Sequence, residues 1–378
     1  MNARTASIIG GTGRFLIGLG LVVILFAGFQ LYGTGILEAQ AQGELDTEFD
    51  DRLTALEEAG LLVTEEPSDD GATPTPPAPP TDSAAINAAI EANFAPEFGD
   101  RDGPAFVVAP IEPDELTDEE IGLLTPQQGE VLGSIEIPDI NLERKIVEGT
   151  RRNDLRQGPG HYPGTPLPGQ PGNAAIAGHR TTYGQPFHDL HLLQPGDLIK
   201  VTTFQGEHYY QVTGHTNDDG EEVGHFIVEA RQTEVIEDFG DNRLTLTACH
   251  PIASSRQRII VTAVLVSAPT EILPTLSDEQ LAELAGEEVD EPASDELAID
   301  EESSFAVEEN ALEESLGWNW EERTSTLVWG AAALAVVIAA LVAARRWRRW
   351  VVYLGAAPVF LLALFFCFVH LDRMLPAL

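Results

Sequence analysis

The chain has 378 residues and a formal net charge of −40 at pH 7, with 61 acidic residues against 21 basic ones. Nucleic-acid recognition needs a basic face, so this acidity argues against a nucleic-acid partner. Nine histidines are present, but none has the ligand spacing of a zinc site. We therefore expect neither a metal nor any other cofactor.

Three apolar segments are long enough to span a hydrocarbon core of roughly 30 Å. They cover residues 15–37, 327–344 and 351–370 and lack acidic and basic residues apart from one histidine. We expect three transmembrane helices, the first of them an anchor. For the first segment the alternative is a cleaved signal peptide, because Ala39-Gln-Ala41 has the small-x-small form of a cleavage site.

Arginines predict the orientation of these segments in the membrane. Arg4 and Arg14 precede the first segment, and the loop 345–350 between the other two contains four arginines. Because arginine-rich short loops stay in the cytoplasm, residues 1–14 and 345–350 are expected inside the cell. Residues 38–326 and 371–378 are then extracellular.

Two acidic segments flank the centre of the chain. Residues 38–128 hold 23 acidic against 2 basic residues, and residues 269–326 hold 19 against 1. Such a composition is typical of solvated disorder, so both are predicted to be extracellular linkers. Stretches 52–62 and 83–94 could form transient helices. Partner binding, or a lid over the active site formed by residues 106–124, is the alternative.

The central segment, residues 129–268, has an ordinary charge balance and dense strand patterns. Its apolar alternation and turn signals predict about eight short strands and one brief helical stretch near 186–193. This pattern favours an all-β fold, a closed barrel with short helices. The predicted strands are 131–137, 141–147, 198–204, 208–213, 226–228, 233–237, 244–248 and 259–266.

Cys249 is the candidate nucleophile. It follows the alternating strand Leu244-Thr-Leu-Thr-Ala and is the one cysteine outside the apolar C-terminal segments. An unpaired cysteine in an exported segment is a candidate reactive thiol. Arg258 begins the next predicted strand, so a short turn would set it beside Cys249.

His179 is the candidate acid and base, at the end of the buried strand Asn173-Ala-Ala-Ile-Ala-Gly178. An imidazole can take the proton of a thiol and later return it to a leaving amine. An arginine can donate two hydrogen bonds to the oxyanion of a tetrahedral intermediate. Cys249, His179 and Arg258 therefore predict an acyl-transfer site.

Other side chains near these motifs are candidates for shaping the substrate pocket. Arg180 and Tyr183 follow His179, and His250 follows Cys249, so all three are predicted to bind substrate. His161, in a loop rich in proline and glycine, could also line the groove. Cys367 lies in the third apolar segment and is expected to be inert.

The two motifs resemble those of sortases. The sequence from Asn173 to Phe187 and the Thr-Leu-Thr-x-Cys…Arg pattern are most like the class E enzymes of actinobacteria, as is Gly158-Pro-Gly-His-Tyr-Pro-Gly164. The resemblance covers about residues 129–268 and differs at Ala248, where many relatives carry threonine.

The resemblance implies a sortase-like barrel and a membrane-anchored cysteine transpeptidase facing the cell wall of a Gram-positive bacterium. It makes Cys249 the nucleophile, His179 the acid and base, and Arg258 the ligand of oxyanion and substrate. Its partners would be secreted proteins with a Leu-Ala/Pro-x-Thr-Gly-like signal and an amine of a peptidoglycan precursor or a pilin lysine. A thiol peptidase that uses water and a non-catalytic peptide-binding barrel are the alternatives.

Overall fold

A computed structural model describes residues 3–64, 106–108, 116–217, 219–252, 254–267, 269–270, 272, 280 and 322–374. The chain divides into two compact units. One comprises residues 1–35 and 301–378, and the other comprises residues 36–300. The second unit contains the candidate site, and each is described by itself.

The centre of the second unit is a closed eight-stranded β-barrel, as the sequence predicts. Its strands follow the ring order β13-β12-β6-β5-β4-β3-β7-β8, and β8 pairs back onto β13. A ninth strand, β11 (Phe226–Glu229), pairs with β13 outside the ring. The barrel strands are β3 (Val131–Ile137), β4 (Leu142–Glu148), β5 (Gly160–His161), β6 (Asn173–Ala177), β7 (Leu198–Thr203), β8 (Gly206–Val212), β12 (Arg243–His250) and β13 (Gln257–Leu265).

Short elements fill the remaining connections of this unit. Two small antiparallel sheets lie outside the barrel ring, and the helices there are one to two turns long. They are the strands β1 (Leu62–Thr64), β2 (Phe106–Val108), β9 (His215–Thr216) and β10 (Glu222–Val223), the helices α3 (Asp118–Leu124) and α4 (Arg152–Leu155), and the 3-10 turns Pro138–Ile140, Leu190–Leu192 and Thr233–Ile236.

Alternate residues of each strand point into the barrel and form its core. On β12 the inward residues are Leu244, Leu246 and Ala248, and on β13 they include Ile259 and Val261. All five are at most 3% exposed. The odd-numbered residues of β12 and the even-numbered residues of β13 therefore lie on the outer wall.

The segment 233–237 is not a strand, contrary to the prediction from its alternating pattern. Residues Thr233–Ile236 form a 3-10 turn. The carbonyls of Val235 and Glu237 accept hydrogen bonds from Asn173 Nδ2 at 3.2 and 2.9 Å. A side chain on β6 thus takes the backbone acceptors that a neighbouring strand would have used.

The predicted linker 38–128 begins with structure rather than disorder. Helix α2 (Thr34–Glu58) follows α1 (Ala3–Gly28) and a π-helical turn. Within the second unit, the α2 side chains Leu45, Phe49 and Leu56 are buried against a cluster that contains Val131 and Phe204. Their spacing of four and seven residues places them on one helix face, which explains how so acidic a helix can pack. Residues 83–94 lie outside the described part of the chain.

The first unit contains apolar helices. In the described part of the chain, three helical segments are long and apolar enough to cross a membrane. They are Leu16–Glu58, which includes the second half of α1, and the helices α5 (Arg323–Ala343) and α6 (Arg349–Met374). Phe26 and Phe29 pack against Phe368 and Phe365, with ring centroids 5.1 and 5.6 Å apart.

Candidate active site

Three neighbouring strands bring the predicted triad to one end of the barrel. Strands β6 and β12 run parallel, with Ala177 paired to Thr247. His179 lies two residues beyond Ala177, and Cys249 lies two residues beyond Thr247. On the other side of β12, Cys249 is the direct antiparallel partner of Arg258. The imidazole, the thiol and the guanidinium thus belong to three adjacent chain segments.

Cys249 and Arg258 lie on the outer wall of the barrel, not in its core. Their neighbours Ala248 and Ile259 belong to the interior cluster, so alternation directs Cys249 and Arg258 outward. Both residues are half-buried. A thiol beside a positive charge, reachable from solvent, suits a nucleophile better than a fully buried thiol does.

Buried polar contacts hold the strands beneath the site. Thr245 donates to Asn173 Oδ1 at 2.8 Å, and the Thr247 hydroxyl lies 3.0 Å from that of Tyr162. Both threonines are at most 3% exposed. Buried hydrogen bonds of this kind fix the register of β12, which carries Cys249.

The backbone around His179 is fixed by packing and hydrogen bonds. Gly178 N donates to Thr247 O at 3.0 Å, and Phe187 N donates to His179 O at 3.1 Å. A Cβ added to Gly178 would lie 2.5 Å from the Phe187 ring, which is fully buried. Glycine is therefore required for the chain to pass over Phe187 and present His179.

Tyr183 is a support for His179. Its ring stacks on the imidazole with centroids 5.1 Å apart and is 6% exposed. Its hydroxyl accepts a hydrogen bond from Arg156 Nε at 2.9 Å. Arg156 was not expected at the site, because 27 residues separate it from Tyr183.

Arg258 is held by its own loop. Its Nη1 donates to the carbonyls of Ser255 and Gln257 at 2.9 and 3.0 Å. These two bonds limit the freedom of the side chain, so the planar guanidinium is oriented beside β12 at the level of Cys249.

Arg180 contacts the backbone of Cys249, the predicted nucleophile. It is 4% exposed, and its Nη1 donates to Cys249 O at 3.3 Å and to His250 Nδ1 at 2.9 Å. The pKa of His250 is lowered mainly by burial and further by the positive charges of Arg180 and His191. The imidazole of His250 therefore stays neutral and can accept this hydrogen bond. Burial lowers the pKa of Arg180, and the charges of Cys249 and Asp189 oppose this shift.

His161 does not line the groove. It is 1% exposed, and its Nδ1 lies 2.7 Å from Glu148 Oε2. Burial alone would lower the pKa of His161, but the carboxylate of Glu148 and the carbonyl of Pro166 raise it overall. His161 is therefore part of a buried ion pair. Within the described residues, no group of three or more His, Cys, Asp or Glu side chains could hold a metal ion.

Comparison with known proteins finds similarity to sortases. Residues 135–266 match the family model of the sortase domain. The chain is 31% identical over 128 residues to Sortase D of Bacillus subtilis, covering 34% of this chain and 59% of that protein. It is 33% identical over 154 residues to Sortase SrtE1 of Streptomyces coelicolor, covering 37% and 41%. A SrtF sortase structure from Corynebacterium diphtheriae is 31% identical, with 47% of this chain and 98% of that chain covered and a TM-score of 0.34. Residues 135–266 therefore match a sortase domain, and the chain spans less than two thirds of the length of these two relatives.

Proposed function

We propose that this protein is a membrane-anchored cysteine transpeptidase that cleaves a sorting signal after threonine and joins the acyl group to an amine. The observation that carries the proposal is the pairing of Cys249 with Arg258 across β12 and β13, with His179 following the parallel strand on the other side. Nucleophile, base and oxyanion donor are the three groups that acyl transfer requires.

The first half-reaction forms a thioester. The Cys249 thiolate attacks the carbonyl carbon of the threonine, and Arg258 donates hydrogen bonds to the oxyanion that develops. As the C–N bond to the following glycine breaks, His179 gives a proton to the leaving amine. The acyl group then remains bound to Sγ.

The second half-reaction transfers the acyl group. An acceptor amine attacks the thioester carbon, His179 takes its extra proton, and the C–S bond breaks to release the Cys249 thiolate. The likeness to class E sortases supports a Leu-Ala-x-Thr-Gly-type signal over Leu-Pro-x-Thr-Gly. An amine of a peptidoglycan precursor is the proposed acceptor, with a pilin lysine as the variant found in pilin-building relatives.

The membrane helices support a position on the outer face. Four arginines, three between α5 and α6 and Arg349 at the start of α6, resist transfer across the bilayer, so this loop is assigned to the cytoplasm. The barrel between the first and second apolar segments is then extracellular, where secreted proteins and wall precursors meet.

The test is product analysis with the full chain in nanodiscs. Peptides with Leu-Ala-x-Thr-Gly and Leu-Pro-x-Thr-Gly are incubated with and without a diglycine amine, and the products are identified by mass spectrometry. The proposal expects a ligated product when the amine is present and none with Cys249→Ala. If the peptide is only hydrolysed at every amine concentration, the protein is a thiol peptidase. If the peptide stays intact under all conditions, the protein is a non-catalytic peptide-binding barrel.

A further inference from the structure

A carboxylate on helix α2 lies beneath the turn that follows His179. Glu38 is 2% exposed, and its Oε1 accepts a hydrogen bond from Arg144 Nε at 2.8 Å. The carboxyl group packs so closely on Gly184 that a Cβ added there would lie 2.6 Å from Glu38 Cδ. A buried, paired carboxylate is therefore in direct contact with the backbone of a loop 146 residues away in sequence.

The contacted turn has a costly backbone. Tyr183, Gly184 and Gln185 all have positive φ angles, of 49°, 68° and 47°. For residues other than glycine this conformation is unfavourable, so surrounding contacts must hold it. Within the turn, Gln185 N donates to Thr182 O at 2.9 Å. The contact of the Glu38 carboxyl group with Gly184 also holds the turn in this conformation.

The same turn carries the ring that stacks on the imidazole. Tyr183 precedes Gly184 and packs on His179 at 5.1 Å between centroids. A displacement of Gly184 would move Tyr183, and with it the surface against which His179 rests. The path from Glu38 to His179 therefore has two steps, each a direct contact.

We propose that Glu38 is a positioning residue. Its carboxylate, held by Arg144, contacts the turn at Gly184 and fixes the backbone there, which sets the orientation of the Tyr183 ring against His179. The proposal rests on the catalytic role given to His179 above. It extends the functional unit beyond the barrel, to a helix residue that lies 93 positions before Val131, the start of the first barrel strand (131 − 38 = 93).

Glu38 is not needed simply to dock the helix. Leu45, Phe49 and Leu56 bury the apolar face of α2. Gln42 adds reciprocal hydrogen bonds with Lys145, its Oε1 accepting from the backbone N at 2.8 Å and its Nε2 donating to the carbonyl at 3.0 Å. These contacts hold α2 against the barrel without Glu38. The buried ion pair of Glu38 with Arg144 can therefore act on the turn at Gly184.

The test compares two ion pairs on the same helix in the full chain in nanodiscs. Glu38→Ala and Glu38→Gln remove the buried carboxylate, while Asp46→Ala removes the exposed pair with Lys145, whose atoms are 3.1 Å apart. Histidine labelled with ¹³C at the ε1 carbon reports the environment of His179, whose signal is assigned with His179→Asn. The acyl-transfer kcat and KM are measured for each protein.

The proposal expects both Glu38 variants to move the His179 resonance and to lower kcat with little change in KM. Glu38→Ala should lose about 10- to 100-fold, as a displacement near 1 Å of a catalytic group does, and Glu38→Gln less. Asp46→Ala should match the wild type. Glu38 variants that match Asp46→Ala in both readouts would overturn it. The resonance needs no turnover, so it decides the matter even if the proposed reaction fails.

A double-mutant cycle tests the path. If Glu38 acts through Tyr183, then Glu38→Ala should cost less than about twofold in a Tyr183→Leu background, because coupled residues are non-additive. An undiminished loss in that background would show that Glu38 acts by another route, and the proposal would be wrong.

Discussion

Replacement of Arg258 by lysine separates charge from geometry at the proposed oxyanion site. Arg258 is the direct partner of Cys249, and its Nη1 already donates to Ser255 O and Gln257 O. A guanidinium can keep those two bonds and still direct other N–H groups at substrate. A lysine ammonium must either satisfy the loop carbonyls or turn to the oxyanion.

The expected loss is that of one oxyanion donor. Such a loss is about 10²- to 10³-fold in kcat, or about 3 to 4 kcal/mol of transition-state stabilisation. We therefore expect kcat/KM of Arg258→Lys to fall by about 10²-fold. Thermal stability should change little, because the side chain is half-buried and the charge is kept.

The assay is steady-state cleavage of a sorting peptide, followed by chromatography. Arg256→Lys is the matched control, since Arg256 lies two residues away and is exposed, and it should retain wild-type activity. Turnover of Arg258→Lys within a few-fold of wild type would refute the reasoning, because charge alone, or backbone N–H groups, would then stabilise the oxyanion.

Three further outcomes are expected. Cys249→Ala should lose several decades of acyl transfer while the circular dichroism spectrum stays unchanged, and more than a few per cent of residual activity would refute its role. Burial lowers the pKa of His208 to about 4 from 6.5, so the stability that its neutral form gives is complete above pH 6.5 and is lost as pH falls toward 4. Between pH 6.5 and 4, the unfolding free energy of His208→Gln should fall by about 3 kcal/mol less than that of the wild type. Equal falls in the unfolding free energy of the two proteins would be contrary evidence. A membrane-impermeant thiol reagent should label Cys249 in intact cells, whereas labelling only after lysis would reverse the topology.

The barrel and the triad could be predicted because their signals are local. Leucine and threonine alternate along β12, and the ends of β6 and β12 mark His179 and Cys249. Pairing of Cys249 with Arg258 requires only a short turn between adjacent strands. The sequence is therefore sufficient to place His179, Cys249 and Arg258 on three neighbouring segments of the barrel.

The misses come from contacts between distant segments. Residues 233–237 alternate like a strand, but Asn173 takes their carbonyls. The acidic composition of residues 38–58 predicts disorder, yet three apolar side chains on one helix face find a partner surface on the barrel. Tyr183 and His161 have roles that depend on partners, Arg156 and Glu148, that are close only in the fold.

The central claim is that Cys249 carries the acyl group between donor and acceptor. The most direct measurement is to mix the full chain with a sorting peptide, quench with acid within the first turnover, and map the adduct by mass spectrometry of proteolytic fragments. The account predicts a thioester on Cys249 whose acyl part ends in threonine and which disappears when an amine is added before the quench. An adduct on another residue, or product formed at the normal rate without any adduct on Cys249, would contradict it.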